Sequence, residues 1–136
     1  MVDDTGLVKK GRHSVGVTRQ YCGQVGKQEN CRVGVSLSVS TGEASLPIAW
    51  RLYLPEVWAQ DNKGRKATGV PPEIRFETKP EIAVQQATAP VLADAAYGND
   101  TKFREGITEL GLLYVVGPLA FARGSASWWT VCWALT

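Results

Sequence analysis

Residues 32–40 read Arg32-Val33-Gly34-Val35-Ser36-Leu37-Ser38-Val39-Ser40, a strict two-residue alternation that commits this stretch to a half-buried β-strand. Val33, Val35, Leu37 and Val39 fall on one face, with small or polar residues opposite. Thr41-Gly42-Glu43 is a turn, and Ala44 to Leu54 returns with Ile48, Trp50, Leu52 and Leu54. The two runs predict an antiparallel hairpin, with Pro47 suited to an edge or a bulge early in the second strand. A second constraint lies downstream. Pro90-Val91-Leu92-Ala93-Asp94 is a compact apolar run ending on a carboxylate, and Asp100 suits a helix N-cap. Phe103, Ile107 and Leu110 recur at i, i+4, i+7 before Gly111, and Leu112 to Gly117 is again apolar. Strand, helix, strand over 91–117 is a βαβ unit, which implies a parallel pair with a right-handed crossover. Hairpin plus βαβ unit is a mixed α/β plan.

The remaining segments are plainer. Met1 to Thr5 reads as a short strand end, and Gly6 to Gly16 as a basic, glycine-punctuated loop. Ser14 to Tyr21 is loosely strand-like before a turn at 23–27. Residues 59–80, with Gly64, Gly69, Pro71, Pro72 and Pro80, read as a surface loop. Thr78-Lys79-Pro80-Glu81 carries a capping-box signature, opening a short helix that Ala89-Pro90 ends.

With 136 residues, 44% hydrophobic and 21% charged, the chain fits one globular domain rather than a disordered or fibrous one. A net charge of +2 does not by itself mark a nucleic-acid binder, although Lys9, Lys10, Arg12, Arg19, Lys27 and Arg32 outweigh Asp3, Asp4 and Glu29 in the first 40 residues. No apolar run approaches the roughly 20 residues of a membrane helix, and the acidic start Met1-Val2-Asp3-Asp4 is unlike a secretory leader. Three cysteines without CxxC spacing argue for reduced thiols in a cytoplasmic protein, with no disulfide framework or zinc site. Residues 118–136 have no clear period, carry Trp128, Trp129 and Trp133, and hold no charge after Arg123. They read as a divergent hydrophobic tail, poorly folded or buried against something else.

Two features could carry chemistry: Asp3-Asp4-Thr5 at the end of the first strand, and Asp94 at the end of the strand at 91–94. Functional groups in open α/β sheets gather at the carboxyl ends of strands, so adjacency of these strands would make the aspartates converge. Two close carboxylates repel unless a cation sits between them, and magnesium or manganese is hard and oxygen-seeking. Two such ions about 4 Å apart support in-line phosphodiester attack. An aspartate at a strand end is also an ordinary loop or cap residue. Lys9, Lys10, Arg12 and Lys27 could contact DNA phosphates or form a solvated basic loop. His13, the one histidine, lacks a partner constellation for nucleophilic catalysis, which leaves a phosphate or a carboxylate as its partner. Tyr97 could pack over the site, stack on a base or belong to the core.

Several strings together resemble a known family. They are Asp3-Asp4-Thr5-Gly6, Lys9-Lys10-Gly11-Arg12-His13-Ser14-Val15-Gly16-Val17, Arg19-Gln20-Tyr21-Cys22-Gly23 and Gly26-Lys27-Gln28-Glu29-Asn30-Cys31. Further along come Ser45-Leu46-Pro47-Ile48-Ala49, Arg51-Leu52-Tyr53-Leu54-Pro55 and Val91 to Asp100. They resemble DDE transposases of bacterial insertion sequences, of the insertion sequence 701 type, across residues 2–117. The resemblance implies an incomplete ribonuclease-H-like fold: a five-stranded mixed sheet whose second and third strands run antiparallel to the rest. It implies a partial catalytic domain over 1–117 that uses Mg²⁺ or Mn²⁺ to nick transposon ends and join them to target DNA. Asp3 would be the first metal ligand and Asp94 the second, with Asp4 pointing to the opposite face of its strand. The family's third acidic residue, a glutamate on a later helix, has no counterpart, since Glu105 and Glu109 precede the last strand. The family's helix between the third and fourth strands is also longer, and its upstream domain for terminal repeats is absent here. The chain thus reads as a truncated remnant, inactive alone. A second possibility is a non-catalytic DNA-binding or interaction remnant that associates with a full-length transposase.

Overall fold

The computed structural model describes residues 1–40 and 43–117, so the divergent tail expected at 118–136 lies outside the described residues. Its organising element is a long strand. Counting in chain order, β1 is Val2–Val8, β2 Thr18–Cys22, β3 Lys27–Ser40 and β4 Ser45–Leu52. β3 pairs antiparallel with each of the other three. Cys31 is opposite both Val8 and Thr18, while Val35 is opposite both Asp4 and Arg51. A strand has only two edges, so β1 occupies one edge of β3 and β2 and β4 follow one another along the other. The hairpin expected from the alternating run is present, with β3 beginning earlier than its strict alternation does.

Alternation sets the two faces of this sheet. Val33, Val35 and Leu37 are buried on one side, together with Val2 of β1. A register shift between Leu37 and Ser38 ends the pattern, and Val39 is exposed rather than part of the core. Two antiparallel steps, β1 to β3 and β3 to β4, make β4 parallel to β1. Only the middle strand of the three is therefore reversed, which corrects the expectation that both hairpin strands oppose the rest. The first strand is also longer than expected: pairing to Cys31 carries it to Val8, through Gly6 and Leu7. Gly6 is required there because Cys22 curls over it, with Sγ 2.6 Å from where a Cβ would sit.

The segment 59–80 is not a plain loop. Helix α1 spans Glu56–Gln60 and α2 Asn62–Thr68. Asp61 caps α2 by accepting from the Gly64 amide at 2.9 Å, and Gly69 ends it in a left-handed conformation, φ 70°. Arg65 holds the following turns by donating to the carbonyls of Ala59, Pro71 and Ile74. The Trp58 indole donates to the Val17 carbonyl at 2.7 Å, fastening α1 to the loop before β2.

Helix α3, Lys79–Gln86, opens on the expected capping box, with Thr78 and Glu81 exchanging side-chain and backbone bonds. β5, Val91–Ala93, and β6, Tyr114–Val116, form the expected parallel pair, Val91 opposite Tyr114. Between them lie a single turn, α4 (Ala95–Gly98), and α5 (Thr101–Glu109), which Asp100 caps as expected. α3 and α5 pack against each other, and α3 lies on β3. Their apolar residues Ile82, Ala83, Phe103 and Ile107 join Val2, Val35, Leu37 and Val91 in one core. β5 contacts β1, although no hydrogen-bonded ladder joins them among the described residues. The mixed sheet is therefore two ladders meeting at a packed seam. No helix among the described residues is long and apolar enough to cross a membrane.

Candidate metal centre at the β1–β5 seam

The seam brings the expected aspartates into one neighbourhood. Asp3 and Asp4 are adjacent on β1, so the pleat sends their side chains to opposite faces. Asp4 shares the helix-covered face. Its carboxylate takes an ion pair from Lys79 at the start of α3, N···O 2.6 Å, and a hydrogen bond from the Tyr97 hydroxyl of α4. Lys79 also lies 5.6 Å above the Tyr53 ring. Burial, and then the neighbouring Asp4 carboxylate, push the Tyr97 hydroxyl pKa well above its ordinary value, so it stays a protonated donor. With Tyr97 only 3% exposed and tilted against Phe103, it is a core residue; base stacking is closed to it.

Asp3 is differently placed. One carboxylate oxygen accepts from the Asp4 amide at 2.8 Å, and its carbonyl accepts from the Ser36 hydroxyl at 3.3 Å. Its pKa is raised from the ordinary 3.8, first by burial and then by the negative charges of Asp4 and Asp94, the Asp4 amide opposing them. Asp94 follows β5 directly and caps α4, one oxygen accepting from the Ala96 and Tyr97 amides at 3.0 and 3.2 Å. The cap reading of Asp94 is therefore realised, and it leaves the charge close enough to act on Asp3. Among the described residues no donor is hydrogen-bonded to the second oxygen of either carboxylate.

That raised pKa has a testable sign. The folded state disfavours ionised Asp3, so the stability linked to its protonation is fully present below pH 3.8 and lost as pH rises through the raised value. Asp3→Asn should therefore melt above wild type at neutral pH, and the two curves should converge below pH 3.8. Parallel melts across that window would contradict the placement.

The donor set suits a hard cation but is small. Two carboxylates with unengaged oxygens are the donor type that a divalent ion keeping most of its waters would use. Among the described residues no group of three or more His, Cys, Asp or Glu side chains is arranged to hold a metal. Glu105 and Glu109 are exposed on α5.

The basic residues are not one cluster. Lys9, Lys10 and Arg12 are exposed on the loop after β1, which Asn30 pins by donating to the carbonyls of Lys9 and Gly11. Lys27 begins β3 at the far end of its pairing with β2 and lies 3.7 Å from Glu29. Arg12 and His13 line a cleft of about 330 Å³ together with Trp58 and Asp61. Sequence reasoning missed Lys79, whose only signal was its position just inside a helix cap.

Residues 1–120 match the DDE superfamily endonuclease family, and the chain belongs to that family. The probable transposase for insertion sequence element IS701 of Microchaete diplosiphon is 31% identical over 126 residues. That alignment covers 85% of this chain and 30% of the relative, so the chain spans less than a third of that protein's length. No solved structure matches.

Proposed function

We propose that residues 1–117 form the metal-binding part of a transposase catalytic domain of ribonuclease-H-like design, with DNA as its substrate. The observation that carries this reading is the packing of β5 against β1, where Tyr97 gives its amide to Asp94 and its hydroxyl to Asp4, setting Asp94 beside the β1 aspartates. The strand sequence from β4 through β3, β1 and β5 to β6 supports the fold assignment, and the IS701 relative supports the activity. Asp3 and Asp94 would hold Mg²⁺ or Mn²⁺, which supplies an activated water or 3′-hydroxyl and stabilises the leaving oxygen in nicking and strand transfer at insertion-sequence ends. Asp4, Lys79 and Tyr97 fix β1 against the helices and so fix the direction of Asp3. Lys9, Lys10, Arg12 and Lys27 would neutralise DNA phosphates. With two carboxylates the site holds a single ion, and cleavage awaits a further acidic ligand. The protein's place is the reducing cytoplasm, where DNA is accessible and Cys22 and Cys31 stay free.

A manganese titration followed by thermal melting tests this. Wild type should gain stability as the ion saturates, while Asp3→Asn and Asp94→Asn should not respond. An equal response from all three proteins overturns the shared site. Supercoiled plasmid incubated with Mn²⁺ should be nicked no faster by wild type than by Asp3→Ala or Asp94→Ala. A faster wild type would show that the pair alone is catalytically sufficient.

The exposed Lys9, Lys10 and Arg12 loop favours a second reading, a DNA-binding remnant that works alongside a full-length transposase. Gel-shift affinity that falls steeply with salt and ignores Mg²⁺ would select it.

A further inference from the structure

The helices cover only one face of the antiparallel sheet. The opposite face carries an apolar stripe along β4, where Ile48, Trp50 and Leu52 are 51%, 52% and 42% exposed, beside the polar Ser36 and Asp3 of the neighbouring strands and with Gly16 approaching Leu52. These are not scattered contacts. Ile48, Trp50 and Leu52 alternate along one strand, and the Trp50 ring lies over Gly34, where a Cβ would collide with it. Exposed apolar patches of this continuity mark surfaces that are covered in the working protein.

We propose that residues 118–136 of this same chain cover that face, seating their tryptophans beside Trp50. Three observations converge on this occupant. The described chain ends at Gly117, just after β6, four strand positions from β4 across the seam. At about 4.8 Å per strand that is about 20 Å, whereas the segment spans up to about 60 Å extended or about 28 Å as a helix. It carries Trp128, Trp129 and Trp133, with no charged side chain after Arg123, matching a face centred on Trp50, Ile48 and Leu52. Tethering also gives it an effective concentration in the millimolar range, ahead of any free partner. The inference is argued from neither aspartate, although Asp3 lies on this same face, across Ser36 from Trp50, so a seated tail borders the proposed metal site.

Two measurements on the full chain test it. In the first, Trp128→Ser, Trp129→Ser and Trp133→Ser are combined, leaving Trp50 and Trp58 as the only indoles. Each background is paired with Trp50→Phe to isolate the Trp50 signal in acrylamide quenching. A tethered tail shields Trp50 almost fully, so the Trp50 quenching constant should rise about threefold in the polar-tail protein. Trp58, buried and bonded to the Val17 carbonyl, reports that the fold is kept. An unchanged Trp50 constant in a folded variant overturns the proposal. The second keeps the native tail. Leu52→Cys is oxidised mildly, and an intramolecular disulfide between the introduced thiol and the native Cys132 is expected. Disulfide dimers through the introduced thiol alone would assign the face to a second copy instead, and an introduced thiol that stays free would leave the face without the tail; either result overturns the proposal.

Discussion

Phe103→Ala should lower the unfolding free energy by about 3–5 kcal/mol, read as a fall in the urea midpoint at unchanged slope. Phe103 is fully buried on α5, its ring 5.5 Å from that of Tyr97 and tilted by 57°. It also shares the core with Ile107, Ile82 and Val91, so truncation opens a cavity bounded by a helix layer and a strand that cannot both collapse inward. For a domain whose total stability is of order 5–15 kcal/mol, the loss takes a large fraction. A cost under about 1 kcal/mol would mean that α5 is not part of the cooperative unit.

Lys79→Met should cost about 1–2 kcal/mol, because the Asp4 carboxylate would keep its partly buried position with only the Tyr97 hydroxyl to satisfy it. The pair is about seven-tenths removed from solvent at both ends, with side-chain exposures of 29% and 30%, and its 2.6 Å contact joins residues 75 apart in sequence. Asp4→Asn combined with Lys79→Met should cost less than the two single changes added together, since the double variant leaves no orphaned charge. Strict additivity in that thermodynamic cycle would reduce the contact to a solvated surface pair.

Much of this architecture is legible in the sequence for physical reasons. A hairpin is written in alternation, and Val33, Val35 and Leu37 face the core as their spacing demands. Capping is equally local, so Thr78, Glu81 and Asp100 mark helix starts that the structure repeats. Asp61 and Gly69 carry the same kind of signal for α2, but the glycines and prolines around them outweigh it. Tertiary bonds are different. Nothing in the local pattern announces that Lys79 reaches Asp4, or that Tyr97 turns inward rather than toward a ligand, because those contacts depend on how α3 and α4 are set against β1. The extent of β1 is hidden for a related reason: Gly6 looks like a loop residue until Cys22 is found lying across it. Within the site, the sequence offers Asp3, Asp4 and Asp94 as candidates, whereas telling Asp3 from Asp4 needs the face assignment.

The seam between β1 and β5 carries one further consequence. Asp3 rides on the antiparallel ladder and Asp94 on the parallel pair, and side-chain packing rather than a backbone ladder connects the two. The parallel unit hinges there only at the cost of exposing the core it shares with β1 and β3, where Val91 and Phe103 pack with Val2 and Val35. An ion gripped from both sides would act as a clasp on that hinge, tightening the amides of Val91 to Ala93 while leaving those of β3 indifferent to its arrival.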